Sequence, residues 1–227
     1  MFFKKKPEQQ SPDRLIKNIE SIVDFTLLIP TATYKDIEKL CNIAYKNKYY
    51  SVCVNPVNVQ FAKKYIDENF DGAVKICSVV GFPLGENTIE TKVFEMKQAL
   101  CDGASEIDVV ACISRIKMGD YDYLKKELSR LVRSCKKAVI KVIIETCYLN
   151  RDEIAKVSRV CAKCKVDYVK TSTGFGTAGA SPEDVELISN SVDNKCGVKA
   201  SGGIKTKEDA IILVRAGATR IGTSREI

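Results

Sequence analysis

Two lysines stand where an amine could do covalent chemistry. Lys170 lies in the segment VDYVKTSTGFG and Lys199 in CGVKASGG. Each ends a short apolar run and is followed by small residues, a pattern typical of a buried strand that leads into a loop. Desolvation and a like-charged neighbour both favour the neutral form of a lysine, and a neutral amine is a nucleophile toward carbonyls. The two segments therefore predict a carbonyl-reactive amine at adjacent strand ends.

Strand-like and helix-like segments alternate along the whole chain. The predicted strands are Asp24–Leu28, Tyr50–Val54, Val74–Val80, Ser105–Val110, Val139–Glu145, Tyr168–Ser172, Gly197–Ser201 and Arg220–Thr223. The predicted helices are Tyr34–Asn47, Val57–Asn69, Asn87–Asp102, Tyr121–Lys137, Arg151–Lys163, Pro182–Val192 and Lys207–Ala216, with an extra one at about Pro12–Val23 that could close the bottom of a barrel. This order favours an α/β fold, a single (β/α)8 TIM barrel with an extra N-terminal helix and a truncated eighth helix. A doubly wound open sheet is the alternative, but LLIPTAT stands where its Gly-rich loop would be expected.

We find no linker or composition shift, so residues 1–227 are predicted to form one domain. Residues 1–11 form a polar leader that we expect to be mobile. The sequence ends four residues after Thr223, which leaves no room for an eighth helix of normal length. We therefore expect the outer faces of the first and eighth strands to need another cover, such as a subunit partner, and we expect a homo-oligomer, a dimer or a tetramer.

Composition excludes several kinds of function. The net charge of +7 comes from 36 basic and 29 acidic residues spread along the helices, which argues against a nucleic-acid partner and favours small anionic substrates. The absence of histidine rules out Ser-His-Asp and Cys-His nucleophiles and removes the commonest metal ligand. No apolar run approaches the ~20 residues of a membrane-spanning helix, and no secretory signal opens the chain.

The ten cysteines show no disulfide framework, so we expect reduced thiols in a cytoplasmic protein. Cys161 and Cys164 form a CAKC motif, which could suggest a redox or zinc site. No second pair stands at ligand spacing, and the motif falls in a predicted helix, which favours ordinary helix residues.

Polar residues gather at the predicted C-terminal strand ends, where barrel enzymes place their chemistry. They are Asp24 and Thr26, Cys53 and Asn55, Glu106 and Asp108, Lys141 and Glu145, Lys170 and Thr173, and Lys199. For Lys141 and Glu145, a buried ion pair that holds the barrel together and a part in the chemistry are equally open. Loops rich in small residues follow the last three strands and predict a phosphate site at Ser201-Gly202-Gly203 and Gly222-Thr223-Ser224, with Gly174 as a further wall.

At these residues the chain resembles the 2-deoxyribose-5-phosphate aldolases, a family of Schiff-base aldolases. The matching segments are DFTLL, VCVNP, VVGFPLG, EIDVV, KVIIET, VKTSTGF, KASGGI and IGTS, and their order is more specific than any one of them. The resemblance implies that Lys170 forms the Schiff base, that Lys199 is its cationic neighbour and takes part in proton transfer, and that Asp108 is the general acid and base. It implies that Asp24, Thr26, Cys53 and Thr173 line the pocket and that Gly174, Gly202, Gly203, Gly222 and Ser224 contact the phosphate. The resemblance further implies a class I aldolase that reversibly cleaves a small phosphosugar, 2-deoxyribose 5-phosphate, to glyceraldehyde 3-phosphate and acetaldehyde without a metal or another cofactor.

The chain departs from the family pattern at two places. Phe25 stands where the family usually has histidine, and we expect this side chain to face outward and to change only packing. The family often carries a C-terminal tail that ends in tyrosine, and none follows Ile227 here, which would limit full activity. Two alternatives stay open: a Schiff-base aldolase for another phosphosugar, and a catalytically silent phosphosugar-binding protein.

Overall fold

Eight parallel strands form a closed barrel. The computed structural model describes residues 11–135 and 137–227. Each strand pairs with the next in sequence, and β8 pairs with β1. The strands are β1 Val23–Leu27, β2 Ser51–Val54, β3 Lys75–Val80, β4 Glu106–Val110, β5 Val139–Ile143, β6 Tyr168–Lys170, β7 Gly197–Ser201 and β8 Arg220–Thr223. The predicted (β/α)8 barrel is confirmed.

One helix precedes the first strand, and the others connect the strands around the outside of the barrel. The helices are α1 Pro12–Lys17, α2 Tyr34–Lys46, α3 Val59–Phe70, α4 Ile89–Cys101, α5 Ile113–Lys117, α6 Tyr121–Ser134, α7 Arg151–Lys163, α8 Pro182–Val192 and α9 Lys207–Arg215. Asn150 and Thr206 form capping boxes that start α7 and α9, so local sequence fixes these boundaries. Within residues 11–135 and 137–227, no helix combines the length and the apolar character needed to cross a bilayer.

The N-terminal prediction is met in part. The expected helix at Pro12–Val23 is divided into α1 and a 3₁₀ turn at Ile19–Ile22 that leads into β1. Ser11 caps α1 by accepting from the Arg14 N–H. The rest of the predicted polar leader, residues 1–10, lies outside the described residues.

The outer face of β1 and β8 is covered within this chain. Phe25 and Ile221 point away from the lumen and are 5% and 0% exposed. The Phe25 ring packs against Tyr49 with centroids 5.4 Å apart, and the Tyr49 hydroxyl bonds the backbone of Ile227. The cover expected for this face is therefore supplied within the chain, by segments that include Tyr49 and Ile227, and a subunit partner is not needed to bury it. The expectation that Phe25 faces outward is met.

Candidate active site

Charged side chains from six strands meet inside the barrel. In a strand, alternate residues point to the same face, so those that face the lumen come together once the sheet closes. Each of them is at most 5% exposed. In the described part of the chain they are Asp24 from β1, Glu106 and Asp108 from β4, Lys141 from β5, Lys170 from β6, Lys199 from β7 and Arg220 from β8. We call these seven side chains the lumen cluster.

The three residues predicted to be catalytic are in direct contact. Lys170 and Lys199 are register partners on β6 and β7, and both Nζ atoms lie 2.7 Å from Asp108 Oδ2. Burial alone would raise the pKa of Asp108, but Lys141, Lys170 and Lys199 outweigh burial and hold that pKa well below its usual value. The three ammonium groups therefore favour the carboxylate form of Asp108 in the free protein.

Lys199 is held in its charged form. Burial would lower its pKa, but Asp108 and Asp24 outweigh burial and raise the pKa above its ordinary value. Lys199 Nζ lies 2.5 Å from Asp24 Oδ2 as well as 2.7 Å from Asp108. Because each carboxylate favours the ammonium form, Lys199 supplies a fixed positive charge beside Lys170.

Asp24 anchors the lower part of the lumen cluster. Its Oδ1 accepts from the Ser51 hydroxyl at 2.6 Å and from Arg220 at 2.9 Å. Burial would raise the pKa of Asp24, but Lys141, Lys199 and Arg220 hold it below the usual range. The guanidinium of Arg220 also lies 3.7 Å from the centre of the Tyr50 ring. These contacts fix the orientation of Asp24 and, through it, of Lys199.

Lys141 joins the two acidic residues of β4. Its Nζ lies 2.6 Å from Glu106 Oε2 and 2.8 Å from Asp108 Oδ1. The Lys141–Glu145 ion pair that the sequence left open does not form. Glu145 lies beyond the end of β5 with a left-handed φ of 50°, and it accepts instead from the N–H and the hydroxyl of Thr173.

The lumen cluster carries one surplus positive charge when all its members are ionised. It has four cations, Lys141, Lys170, Lys199 and Arg220, and three carboxylates, Asp24, Glu106 and Asp108. Lys141, Lys199 and Arg220 each contact two or more of the carboxylates, whereas Lys170 contacts only Asp108 among them. Lys170 is therefore the cation of the cluster with the fewest carboxylate partners.

Lys170 opens onto a cavity of about 390 Å³ at the C-terminal mouth of the barrel. Among the residues predicted for binding, those that line it are Thr26, Thr173, Gly174, Gly202, Gly203, Gly222, Thr223 and Ser224. Gly202 and Gly203 have φ angles of 83° and 80°, which lets successive backbone N–H groups form an anion-binding concavity. At Gly222 a Cβ would lie 2.9 Å from Lys199 Cε, so any larger residue would displace that lysine.

Two residues predicted to line the pocket are placed beneath it. Asp24 and Cys53 are fully buried and do not line the cavity. Cys53 belongs to a small apolar group with Leu28, Cys77 and Val79. The side chain of Thr173 reaches the cavity, but its hydroxyl is already bonded to Glu145 and accepts from the Phe175 N–H.

Sequence reasoning missed several contributors to the site. Arg220 lies two residues before Gly222 on the same face of β8, a period-two signal that could have found it. Cys77 is the register partner of Cys53 on β3, and its thiol lies 3.1 Å from Asp108 Oδ1. Phe175 lines the cavity and also a neighbouring one of about 330 Å³, and it meets Phe82 edge to face. Nothing in the local sequence indicates that contact.

One group in the described chain has the spacing of a metal site, but its surroundings do not suit a cation. The ligand atoms of Cys53, Cys77 and Asp108 lie within 4.8 Å of one another. Lys141 Nζ, however, lies 3.3 Å from Cys77 Sγ and 2.8 Å from Asp108 Oδ1. A divalent ion would face that ammonium at contact distance, so these donors do not fit a metal.

The CAKC cysteines lie where the helix interpretation puts them. Cys161 is buried in α7, and Cys164 is the C-cap residue of the same helix. Neither belongs to the group with metal-ligand spacing in the described chain. The motif is therefore part of a helix and its end.

Comparisons with known proteins match nearly the whole chain. The profile of the DeoC/LacD family aldolases matches residues 12–224. A deoxyribose-phosphate aldolase of Thermoanaerobacter sp. (strain X514) is 50% identical over 210 residues, covering 91% of this chain and 93% of that protein. The solved structure of the aldolase QR15 is 42% identical with a TM-score of 0.86, covering 91% of each chain. The deoxyribose phosphate aldolase of Aeropyrum pernix, described as a unique tetramer, is 35% identical with a TM-score of 0.84, covering 94% of this chain and 88% of that one.

Proposed function

Because this chain belongs to the DeoC/LacD aldolase family and is an aldolase, a lyase, we propose that it cleaves 2-deoxyribose 5-phosphate through a Schiff base on Lys170. The products would be acetaldehyde and glyceraldehyde 3-phosphate, and the reaction would be reversible. One observation carries the proposal: Lys170 opens onto the cavity while its Nζ touches Asp108, which also binds Lys199. The choice of a deoxyribose phosphate as the substrate is supported by the relatives, which are named deoxyribose-phosphate aldolases.

The chemistry begins with the neutral amine of Lys170. It attacks C1 of the open-chain aldehyde, and loss of water gives an iminium that acts as an electron sink. The C2–C3 bond then breaks as the C3 hydroxyl loses its proton. Glyceraldehyde 3-phosphate leaves, and an enamine of acetaldehyde stays on Lys170 until it is protonated at C2 and hydrolysed.

Asp108 is the proposed proton carrier. As a carboxylate it can take the C3 hydroxyl proton, directly or through a water, and then return it to C2 of the enamine. Lys199 would keep its charge throughout and offset the carboxylate. The iminium on Lys170 carries the same single positive charge as the ammonium form of this lysine, so its formation from the neutral amine restores the surplus charge of one in the lumen cluster.

The phosphate is assigned to the loops after β6, β7 and β8. Gly202, Gly203 and Ser224 line the cavity at the end away from β4, and the backbone amides of such loops suit an anion. Lys170 is the only cationic side chain among the cavity-lining residues in the described chain. Phosphate binding would therefore rest on amides and hydroxyls.

A substrate panel tests the specific reaction. Release of glyceraldehyde 3-phosphate from 2-deoxyribose 5-phosphate is coupled to a dehydrogenase and compared with ribose 5-phosphate and fructose 1,6-bisphosphate. We expect turnover of the deoxy sugar alone. Faster cleavage of another phosphosugar would show that 2-deoxyribose 5-phosphate is not the preferred substrate. Binding of these sugars without any turnover would indicate a phosphosugar-binding protein.

We also propose a homo-oligomer in the cytoplasm. The tetramer described for the Aeropyrum pernix relative supports the first part, and the cysteine-rich sequence without a disulfide framework supports the second. Sedimentation equilibrium would give the assembly directly, and a purely monomeric result at micromolar concentration would exclude it.

A further inference from the structure

A second pair of opposite charges is buried outside the barrel and plays no part in the chemistry described above. Lys92 on α4 and Glu127 on α6 are both 0% exposed, and Lys92 Nζ lies 2.6 Å from Glu127 Oε1. Burial raises the pKa of Glu127 even though Lys92 opposes that shift, so the pair is held at a cost in desolvation. Two apolar residues of similar volume in place of such a buried ion pair often give a protein of equal or greater stability.

Both members of this pair bind the backbone just beyond Asp108. Lys92 Nζ donates to the Val110 carbonyl at 2.8 Å, and Glu127 Oε2 accepts from the Cys112 N–H at 3.2 Å. Val110 is the last residue of β4, and it lies two residues after Asp108 on the same face of the strand. The ion pair therefore holds the backbone by one hydrogen bond on each side of Ala111.

The same helix also fixes the loop after β3. A Cβ at Gly81 would lie 2.9 Å from Lys92 Cε, and the Gly81 N–H donates to Glu95 Oε2 on α4 at 2.8 Å. Phe82, the next residue, packs on the apolar group beneath the cavity. Lys92 thus lies between two loops that border the reacting centre, and a shift in it would move both.

We propose that Lys92 and Glu127 are positioning residues that set the place of Asp108 against Lys170. This inference rests on the proposed function. Neither side chain lines the cavity, so they act only through the backbone of β4 and of the β3 loop. A displacement of about 1 Å at a reacting group can lower the rate on the order of 100-fold. Hydrogen bonds that fix the backbone next to Asp108 would therefore raise the rate.

The test compares Glu127→Gln and Lys92→Met with the wild type. Glu127→Gln keeps the shape of the side chain and an acceptor for the Cys112 N–H but leaves the Lys92 ammonium unpaired. We expect kcat to fall about 10- to 100-fold in each variant. We expect KM to stay within about 2-fold, because the proposed phosphate loops follow β6 to β8, across the barrel from β4. If the two residues act as one unit, the double variant should lose little more than either single variant.

A second readout isolates Asp108 from phosphate binding. Enzyme-catalysed deuterium exchange into the methyl group of acetaldehyde, followed by NMR without any phosphosugar, reports enamine protonation. We expect it to slow in parallel with kcat. Leu131→Ala is the control, since Leu131 is fully buried on the same helix and its side chain cannot hydrogen-bond the β4 loop. It should lower the melting temperature yet leave kcat and exchange close to wild type.

The inference is overturned if kcat and the deuterium-exchange rate of Glu127→Gln stay within about 3-fold of wild type. It is also overturned if Leu131→Ala lowers kcat and the exchange rate as much as Glu127→Gln does. A rise in KM that matches the fall in kcat would also overturn it. Should Lys92→Met or Glu127→Gln fail to fold, Glu127→Asp decides, because it keeps both charges and only shortens the reach to Cys112. A wild-type protein with no exchange and no turnover would instead refute the proposed function.

Discussion

Replacing Asp108 by asparagine should damage stability and catalysis together. Asp108 accepts from Lys141, Lys170 and Lys199 at 2.7–2.8 Å and from the Cys77 thiol at 3.1 Å. Asp108→Asn would raise the surplus positive charge of the lumen cluster from one to two, because two carboxylates would remain for four cations. Removing one partner from a buried pair costs about 3–5 kcal/mol. At about 2–4 °C per kcal/mol for a chain of this size, the melting temperature should fall by about 6–20 °C.

A second substitution separates the two effects. Lys141→Met combined with Asp108→Asn returns the surplus charge to one, so the double variant should be less destabilised than the sum of the single variants by about 0.5–3 kcal/mol. Activity should not return, because the proton carrier is still missing. We expect kcat to stay about 100- to 10,000-fold below wild type in both Asp108 variants.

Urea and thermal unfolding measure the stability of each variant, and the coupled assay measures kcat. Asp67→Asn is the matched control, because Asp67 pairs with Lys63 on an exposed helix surface where such pairs contribute about 0–1 kcal/mol. Two results would contradict this charge balance. One is a free energy of unfolding for Asp108→Asn within about 1 kcal/mol of wild type, and the other is a double variant that is destabilised by the full sum of the two single variants.

Three further predictions concern the phosphate loops, the outer face and pH. Ser224→Asp should raise KM for 2-deoxyribose 5-phosphate about 10-fold or more through repulsion of the phosphate while leaving KM for unphosphorylated deoxyribose nearly unchanged; equal effects on both sugars would place the anion elsewhere. Phe25→His should keep kcat within about 3-fold of wild type, because the ring packs against Tyr49 outside the barrel; a larger fall would show that the position reaches the chemistry. Stability should fall steeply in acid, since Asp24 and Asp108 have pKa values below their usual range. The two carboxylates contribute their full stabilisation above the unfolded-state pKa of about 3.9, and this stabilisation is lost as the pH falls through their folded-state pKa values. Asp24→Asn should therefore reduce the slope of unfolding free energy against pH in acid, measured by urea unfolding. An unchanged slope would contradict this expectation.

The barrel was predictable because its signals are local. Short apolar runs that alternate with helical patterns marked all eight strands to within two residues at either end. The two longest errors are C-terminal: Val139–Glu145 was expected where β5 stops at Ile143, and Tyr168–Ser172 where β6 stops at Lys170. Glu145 leaves the strand by a left-handed turn to reach Thr173, which is a tertiary contact that strand periodicity does not contain.

The short elements were missed for a different reason. α5 spans only Ile113–Lys117, too few residues for a helical repeat to appear, and it stands before the well-patterned α6. The split of the N-terminal helix at Asn18 likewise depends on a 3₁₀ turn that has no clear sequence signature.

Partners inside the lumen depend on how the barrel closes. Arg220 and Asp24 are 196 residues apart, yet they bond at 2.9 Å because β8 and β1 are neighbours in the closed sheet. Sequence spacing suggested the pair Lys141 and Glu145, which share a predicted face, but Lys141 bonds across the barrel instead. The choice of face was predictable from period two, whereas the choice of partner required the three-dimensional register.

Borohydride trapping shows directly whether Lys170 forms a Schiff base. The protein is incubated with acetaldehyde, reduced with sodium borohydride, digested and mapped by mass spectrometry, with Lys170→Arg as the control. We expect an ethyl group on Lys170, stoichiometric with lost activity and absent from the control. An unmodified Lys170, or an equal adduct on Lys199 or Lys141, would contradict it.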